Sequence, residues 1–320
     1  MSLASYNCGS SDVLWGAYIL NVRSVLGAVE GGGTKFVCVI GTSPTDVVDQ
    51  LIFPTVDPEE TISTVIEFFQ RPRPGIELAA LGVATFGPIE LDRASPEYGG
   101  TVATTKPGWS FIQIVRPISR RLNVPVGWDT DVNGAVLGEV RWGAGRGFDP
   151  VVYLTIGTGI NGGVFVNGAT VHGLQHPELG HLPMPPIDGD EFPGICEYHG
   201  RCLEGVASGP AIAARAGRPV VDIPDEDPIW DVTARYLGYG LMTVVVTVSP
   251  RRIILGGGVM RQAHLLPKVR RALQVVLNDY VHVPELLDRI DDYVVPSALG
   301  QEAGLYGALV LAERALAEKV

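Results

Sequence analysis

Positive charge is scarce in this chain of 320 residues: 24 lysines and arginines stand against 35 aspartates and glutamates, a net charge of −11. Gripping nucleic acid takes a basic face to meet the phosphates, so nucleic acid is excluded as a main partner. A small anion is not excluded, because a few backbone N–H groups can hold one locally. Cysteine is scarce as well: Cys8 and Cys38 stand alone, and Cys196 and Cys202 share one loop. Four cysteines make no disulfide framework, and the expected home is the reducing cytoplasm. No run approaches the ~18 apolar residues of a membrane span, so no membrane partner is expected. Residues 1–24 have neither the basic start nor the cleavage site of a signal peptide and read as an extension outside the fold.

What is present is apolar and punctuated. Hydrophobic residues make up 46% and charged residues 18%, a globular composition long enough for two domains. From Val25 the runs SVLGAVEGG, KFVCVIGT and DVVDQLIFPTV predict three strands. DPEETISTVIEFFQ predicts a helix with Asp57 as N-cap, Pro58 at the first position, and Ile62, Val65, Ile66 and Phe69 on its buried face. ELAALGVATFG and VPVGWD read as strands, WSFIQIVRPISRRL as a helix interrupted near Pro117, and DVNGAVLGEVRWGAG as a helix. At Val151 the opening pattern returns in VVYLTIGTGINGGVFVNG, so two glycine hairpins about 125 residues apart each open a half. Helices and strands then alternate to a final helix, QEAGLYGALVLAERALAEK. Two similar α/β halves imply a cleft between them, the usual place for a ligand.

Three glycine motifs carry the first chemical signal: Gly31–Lys35 (GGGTK), Thr155–Gly163 (TIGTGINGG) and Leu255–Val259 (LGGGV). Glycine lets backbone approach a ligand, and successive N–H groups in a tight turn form an anion nest. Thr34, Thr155 and Thr158 add hydroxyls and Lys35 adds charge. One such turn is an ordinary hairpin; three, placed in matching halves, point to phosphates. None is GxxxxGK[ST], and no HRD or DFG segment appears, which excludes P-loop and protein-kinase readings.

From Leu26 onward the chain resembles the ROK family of sugar kinases and related repressors. The family's first hairpin is normally D-x-G-G-T-K; here Glu30 takes the aspartate's place, as in the fructokinase branch. The resemblance implies an α/β, two-domain actin/hexokinase-like (ribonuclease H-like) ATPase fold with an interdomain cleft. Residues 25–131 with helix 301–320 would form one domain and residues 132–300 the other. It also implies ATP with Mg²⁺. Gly31, Gly32, Gly33, Thr34, Lys35, Thr155, Gly157, Thr158 and Gly159 would hold phosphates, and Gly256, Gly257 and Gly258 would lie near the adenosine. The implied reaction is phosphorylation of fructose to fructose 6-phosphate, with mannose, glucose or N-acetylmannosamine as alternative sugars and a homodimer as the family expectation.

GWDTDVNGAVLGE places Asp131 where a strand gives way to a helix. An Asp there is a favoured N-cap; it could also be the general base that takes a proton from a sugar hydroxyl attacking the γ-phosphate. The family's D-x-N-x-A-x-x-G-E pattern implies Asp131 as base, in preference to Asp129, and Asn133 as a sugar contact. Other pocket candidates are Phe86–Pro88, including Gly87, and Thr105–Trp109, including Lys106. Trp109 by itself suggests core packing, and the family resemblance places it at the sugar mouth.

Residues 176–205 gather three of the six histidines and two of the four cysteines in a loop rich in Pro and Gly. His181, Cys196, His199 and Cys202 spell H-x14-C-x2-H-x2-C, four soft or borderline ligands suited to a closed, structural zinc site. The resemblance assigns His181 to the zinc and Glu178 to sugar hydroxyls, and the spacing matches the fructokinase branch. His176 is expected in water, and His172 has no assigned role. Two rivals are weak: a sugar-responsive repressor would need a helix-turn-helix that residues 1–24 are too short to form, and HPELGH fits neither H-E-x-x-H nor H-x-x-E-H of zinc hydrolases.

Overall fold

The apolar runs and glycine turns fold twice into one arrangement, in a computed structural model that describes residues 22–318. The first half contains β1 (Arg23–Gly31), β2 (Lys35–Ser43), β3 (Asp46–Pro54), α1 (Pro58–Gln70), β4 (Ile76–Thr85), α2 (Val115–Leu122) and β5 (Val126–Thr130). Its sheet runs β3-β2-β1-β4-β5, antiparallel within the opening meander and parallel from β1 through β4 to β5. After α3 (Asp131–Trp142) the second half repeats the plan with β6 (Val151–Ile156), β7 (Ile160–Val166), β8 (Ala169–Thr170), α4 (Leu203–Ala207), α5 (Gly209–Ala216), α6 (Ile229–Val248), β9 (Arg252–Gly256), α7 (Leu265–Leu277), α8 (Pro284–Leu287), α9 (Ile290–Tyr293) and β10 (Val294–Pro296). Its sheet order, β8-β7-β6-β9-β10, is the same meander followed by the same two parallel strands. α10 (Ala303–Glu318) ends the described chain.

Local chemistry accounts for most boundaries. Asp57 caps α1 by accepting the Glu60 N–H at 3.0 Å, Pro58 opens the helix, and Val65, Ile66, Phe68 and Phe69 are buried. Pro117 does not interrupt a helix: α2 begins only at Val115, which puts the proline in the first turn where its missing N–H costs no bond. The strand expected over DDYVVPSAL shrinks to three residues, because α9 takes Ile290–Tyr293. Residues 1–21 of the expected extension lie outside the described residues, whereas Arg23 and Ser24 belong to β1 and pair with Ile76 and Glu77.

α10 returns from the end of the second half to pack on β4, β1 and β5, and α3 lies between it and β6 and β7. The two helices cross at backbone distance: a Cβ on Gly307 would sit 1.6 Å from Gly134 O, so only glycine permits the approach. One hydrophobic cluster draws on both sheets and both crossing helices, including Ala28, Val136, Tyr153, Ile254 and Leu309. Parallel strands put their C-terminal ends on one edge, the side on which open α/β sheets bind ligands. Gly31, Thr85 and Thr130 end there in the first sheet, and Ile156 and Gly256 in the second.

Candidate active site

Asp129 and Asp131 stand two residues apart in opposite circumstances. Asp129 is the penultimate residue of β5, is 1% exposed, and spends its carboxylate within the protein. It accepts from Thr130 N (2.8 Å), Asn133 Nδ2 (2.7 Å) and Thr170 Oγ1 (2.9 Å), and it pairs with His172 Nε2 at 3.0 Å. The hydrogen bond that His172 donates to Asp129 raises the His172 pKa. Asp131 is the first residue of α3 but not its cap. Thr130 holds that role, its Oγ1 accepting the Asn133 N–H at 3.1 Å. The cap expected of Asp131 is thus taken by its neighbour, and among the described residues the Asp131 carboxylate is bonded only to the adjacent Val132 N–H, at 2.9 Å. Burial pushes its pKa up to about 6 against the pull of those helix-start amides.

Two further acids close around Asp131. Glu30, at the end of β1, is pushed up to about 8 by burial and by Asp131, with Lys35 pulling the other way. It lies against the start of α10, where a Cβ on Gly304 would be 2.4 Å from Glu30 Oε1 and 3.2 Å from Asp131 O. Glu178 is pushed up to about 7 by burial and then by Asp131 and Glu204, while a 2.8 Å bond from Asn161 Nδ2 opposes the shift. Asp131 thus raises the pKa values of both Glu30 and Glu178, and three buried carboxyls cannot all be charged cheaply at neutral pH, so the cluster favours a proton or a cation among them.

His176, expected in water, is buried at 6% exposure. Its Nε2 accepts the Ile89 N–H at 3.2 Å, which leaves the ring proton on Nδ1, 3.3 Å from Glu178 Oε1 and off hydrogen-bond alignment. Burial lowers its pKa, in keeping with a neutral ring. The ring also backs on Gly87, where a Cβ would stand 3.2 Å from it.

The glycine turns converge on the same place. Gly33, Thr34, Lys35, Thr158 and Gly258 are exposed, with Gly32, Thr155, Gly157, Gly159 and Gly257 half-buried and Gly31 and Gly256 buried. The first turn closes with Gly32 N donating to Lys35 O at 2.9 Å, and Lys106 Nζ reaches across to Gly33 O. Thr155 pairs with Gly256 across β6 and β9, and a Cβ on Gly157 would lie 3.6 Å from Gly258 N, so the second and third motifs form one surface. Glu204 joins that surface to the acids, its Oε2 accepting the Ile160 N–H at 2.9 Å.

Two expected sugar contacts are placed elsewhere. Asn133 is fully buried, its amide committed to Asp129, so it braces the base of α3 rather than facing the cleft. Trp109 is 1% exposed, stacked on Phe36 at 5.7 Å, with Nε1 donating to Val56 O at 3.1 Å; its ring is core. Asn161, Glu204 and His172 have no role assigned from the sequence, and Asp129 figures there only as a rival base. Asn161 lies inside the Thr155–Gly163 motif and Glu204 inside the 176–205 loop, but nothing in their spacing says which way they point.

The loop after Glu178 brings four ligand atoms together. Leu179–His181 form one 3₁₀ turn, with His181 N donating to Glu178 O at 3.0 Å. Cys196 and Gly200 pair as a tight knuckle, and Cys202 caps α4, its Sγ accepting the Gly205 N–H at 3.4 Å. Tetrahedral zinc with thiolate sulfur and imidazole nitrogen gives S···N edges of about 3.6 Å. The structure has His181 Nδ1 at 3.7 Å from Cys196 Sγ and 3.6 Å from Cys202 Sγ, and His199 Nδ1 at 3.7 Å from Cys196 Sγ. All four ligand atoms lie within 4.8 Å of one another. The donor set therefore fits a closed four-coordinate metal site.

Known proteins share this framework. The fructokinase of Pediococcus pentosaceus is 40% identical over 292 residues, spanning 91% of this chain and 99% of that one. The fructokinase of Zymomonas mobilis subsp. mobilis is 40% identical over 297 residues, 91% of this chain and 97% of that one. Among solved structures, the ROK hexokinase from Thermus thermophilus matches with a TM-score of 0.72 at 28% identity, covering 92% of this chain and 99% of that one. The model of the ROK family matches residues 26–315, from the first strand to the last helix. With both sheets, the glycine turns and the His/Cys loop inside that match, this chain belongs to the ROK family.

Proposed function

We propose that the cleft transfers the γ-phosphoryl group of MgATP to the 6-hydroxyl of fructose, with Asp131 taking the proton of the attacking hydroxyl. The chain is an ATP-dependent fructokinase, on the strength of fructokinase relatives at about 40% identity over most of its length. The chemistry rests on one observation: Asp131 is the acid at the strand–helix junction whose carboxylate is left free by its neighbours. Phosphoryl transfer asks the protein for positioning, charge neutralisation and a base. The N–H groups of Gly31–Lys35 and Thr155–Gly159, with the Lys35 ammonium, would hold the phosphates, and Gly256–Gly258 would lie against the adenosine. Mg²⁺ would be carried mainly by the nucleotide. Glu178, fixed by Asn161 and by the turn to His181, would read sugar hydroxyls, with Lys106 and Gly87 at the mouth.

His181, Cys196, His199 and Cys202 would hold a structural zinc ion, whose contribution is to order the wall carrying Glu178. The domain reading is 25–131 with helix 301–320 against 132–300, which the packing of α10 on the first sheet supports. A cytoplasmic homodimer completes the reading. It draws on the lack of a disulfide among Cys38, Cys196 and Cys202 for the compartment and on the family for the assembly.

The test is ADP release from MgATP in the presence of fructose, mannose, glucose or N-acetylmannosamine. Preference for fructose is expected. Preference for another hexose would keep the mechanism and discard the substrate, and no release with any sugar would overturn the kinase reading.

A further inference from the structure

α3 and α10 are the two helices through which the chain passes between the halves, and both are anchored by one side chain. Glu139, three residues before the end of α3, is fully buried. Among the described residues no lysine or arginine pairs with it. Its Oε2 accepts the Ala144 N–H at 2.6 Å, from the turn that leaves α3. Its Oε1 accepts Ser297 Oγ at 2.5 Å and Leu299 N at 3.0 Å, from the turn that leads into α10. Every partner is a donor, an arrangement that suits a carboxylate and not an amide.

Both turns are fastened to the second half independently. Ser297 N donates to Leu255 O in β9 at 2.9 Å, and Arg252 Nη1 of β9 donates to Ala144 O at 2.8 Å. Beyond the turns, α3 and α10 run side by side, Gly134 against Gly307 and Gly138 against Ala303, and α10 packs on the first sheet. α10 therefore goes with the first sheet, α3 packs on β6 and β7 of the second, and the turns at their ends are held by β9. Glu139 sits where the two regimes meet, at the opposite end of α3 from Asp131.

We propose that Glu139 is the pin of the interdomain hinge: a positioning residue that ties the two crossings to one point, so that Asp131 keeps its place in the cleft as the halves close on substrate. A buried carboxylate without a cation is costly, and satisfying donors from two segments so far apart in sequence is what that cost secures. The proposal rests on the reading of Asp131 as base. A slack pin would leave the cleft able to bind both substrates but slow to exclude water, so ATP would be hydrolysed in place of being transferred.

The experiment compares Glu139→Gln and Ser297→Ala with wild type in two assays: the ratio of ATP hydrolysed to sugar phosphorylated, and amide hydrogen exchange. In E139Q the ratio is expected to rise about fivefold or more, with kcat falling further than KM changes, and S297A is expected to move the same way by less. Amides of residues 131–134 and 297–300 are expected to exchange about tenfold faster in E139Q. Activities that fall in parallel with the folded fraction, at constant ratio, would overturn the proposal and leave Glu139 a stabilising residue only. If E139Q does not fold, S297A decides by the same ratio. If wild type phosphorylates no sugar, the kinase reading fails and exchange decides the pin: faster exchange at both segments upholds it, unchanged exchange at either overturns it.

Discussion

The end of β5 and the start of α3 present two aspartates within three residues, and their surroundings divide the labour. Asp129 is enclosed by donors from its own strand end, from α3 and from the segment after β7, so it works as a structural knot. Asp131 is spared the capping bond because Thr130 makes it, and its free oxygen is left among Glu30, Glu178 and the glycine turns. Two carboxylates of one type thus differ because one has its hydrogen-bond demand met by protein and the other does not. The lesson is that a catalytic acid is found by counting what its neighbours leave unbonded.

The sharpest way to break this contrast is Asp131→Asn. Turnover is expected to fall about a thousandfold or more while sugar binding, measured by calorimetry, persists; near-normal turnover would dismiss Asp131 as base. Next in size is the loop that carries Glu178. Cys202→Ser, or verified metal removal by a chelator, is expected to lower the melting temperature and weaken sugar binding, since a metal-bound loop loses its order with its metal. Unchanged melting and unchanged activity would remove zinc from the account.

Asp129→Asn sharpens the comparison from the other side. It leaves a donor facing donors, so a loss of about 1–3 kcal/mol in stability is expected, with a fall in kcat much smaller than that of Asp131→Asn. The reverse ranking of the two variants would exchange their roles. The smallest effect is on pH. Asp131 acts as base when ionised, and burial holds its pKa at about 6, above the ordinary carboxylate range. Turnover should therefore decline as pH falls through about 6 and level off above it; a profile flat from pH 5 to pH 8 would contradict the assignment.

Much of the framework was legible along the chain. The repeated glycine hairpin announced two halves of one plan, because strand alternation and turn glycines are local signals. The start of α1 was legible for the same reason, its cap and proline acting within four residues. The His/Cys cluster was visible as well: C-x2-H-x2-C lets one knuckle present three ligands, and His181, the fourth read from the sequence, reaches them from a single turn. Pro117 misled because proline reads as a breaker unless the helix is known to start beside it.

Burial was not legible in this way. His176 sits in a loop that reads as exposed, and the family resemblance put Asn133 and Trp109 at the sugar, yet Asn133 is covered by Asp129 and the strand carrying Gly163, Trp109 by Phe36 as its residue type alone suggested, and His176 by the loop at Gly87. Sequence by itself determined the elements, the doubled topology and the chemistry on offer, since propensity, spacing and donor type belong to neighbours along the chain. Only the tertiary structure decided which aspartate stays free and which polar groups turn inward. Those outcomes depend on partners 40 or more residues away, such as His172 and Thr170 against Asp129, and a hydrogen bond is settled by what arrives in space.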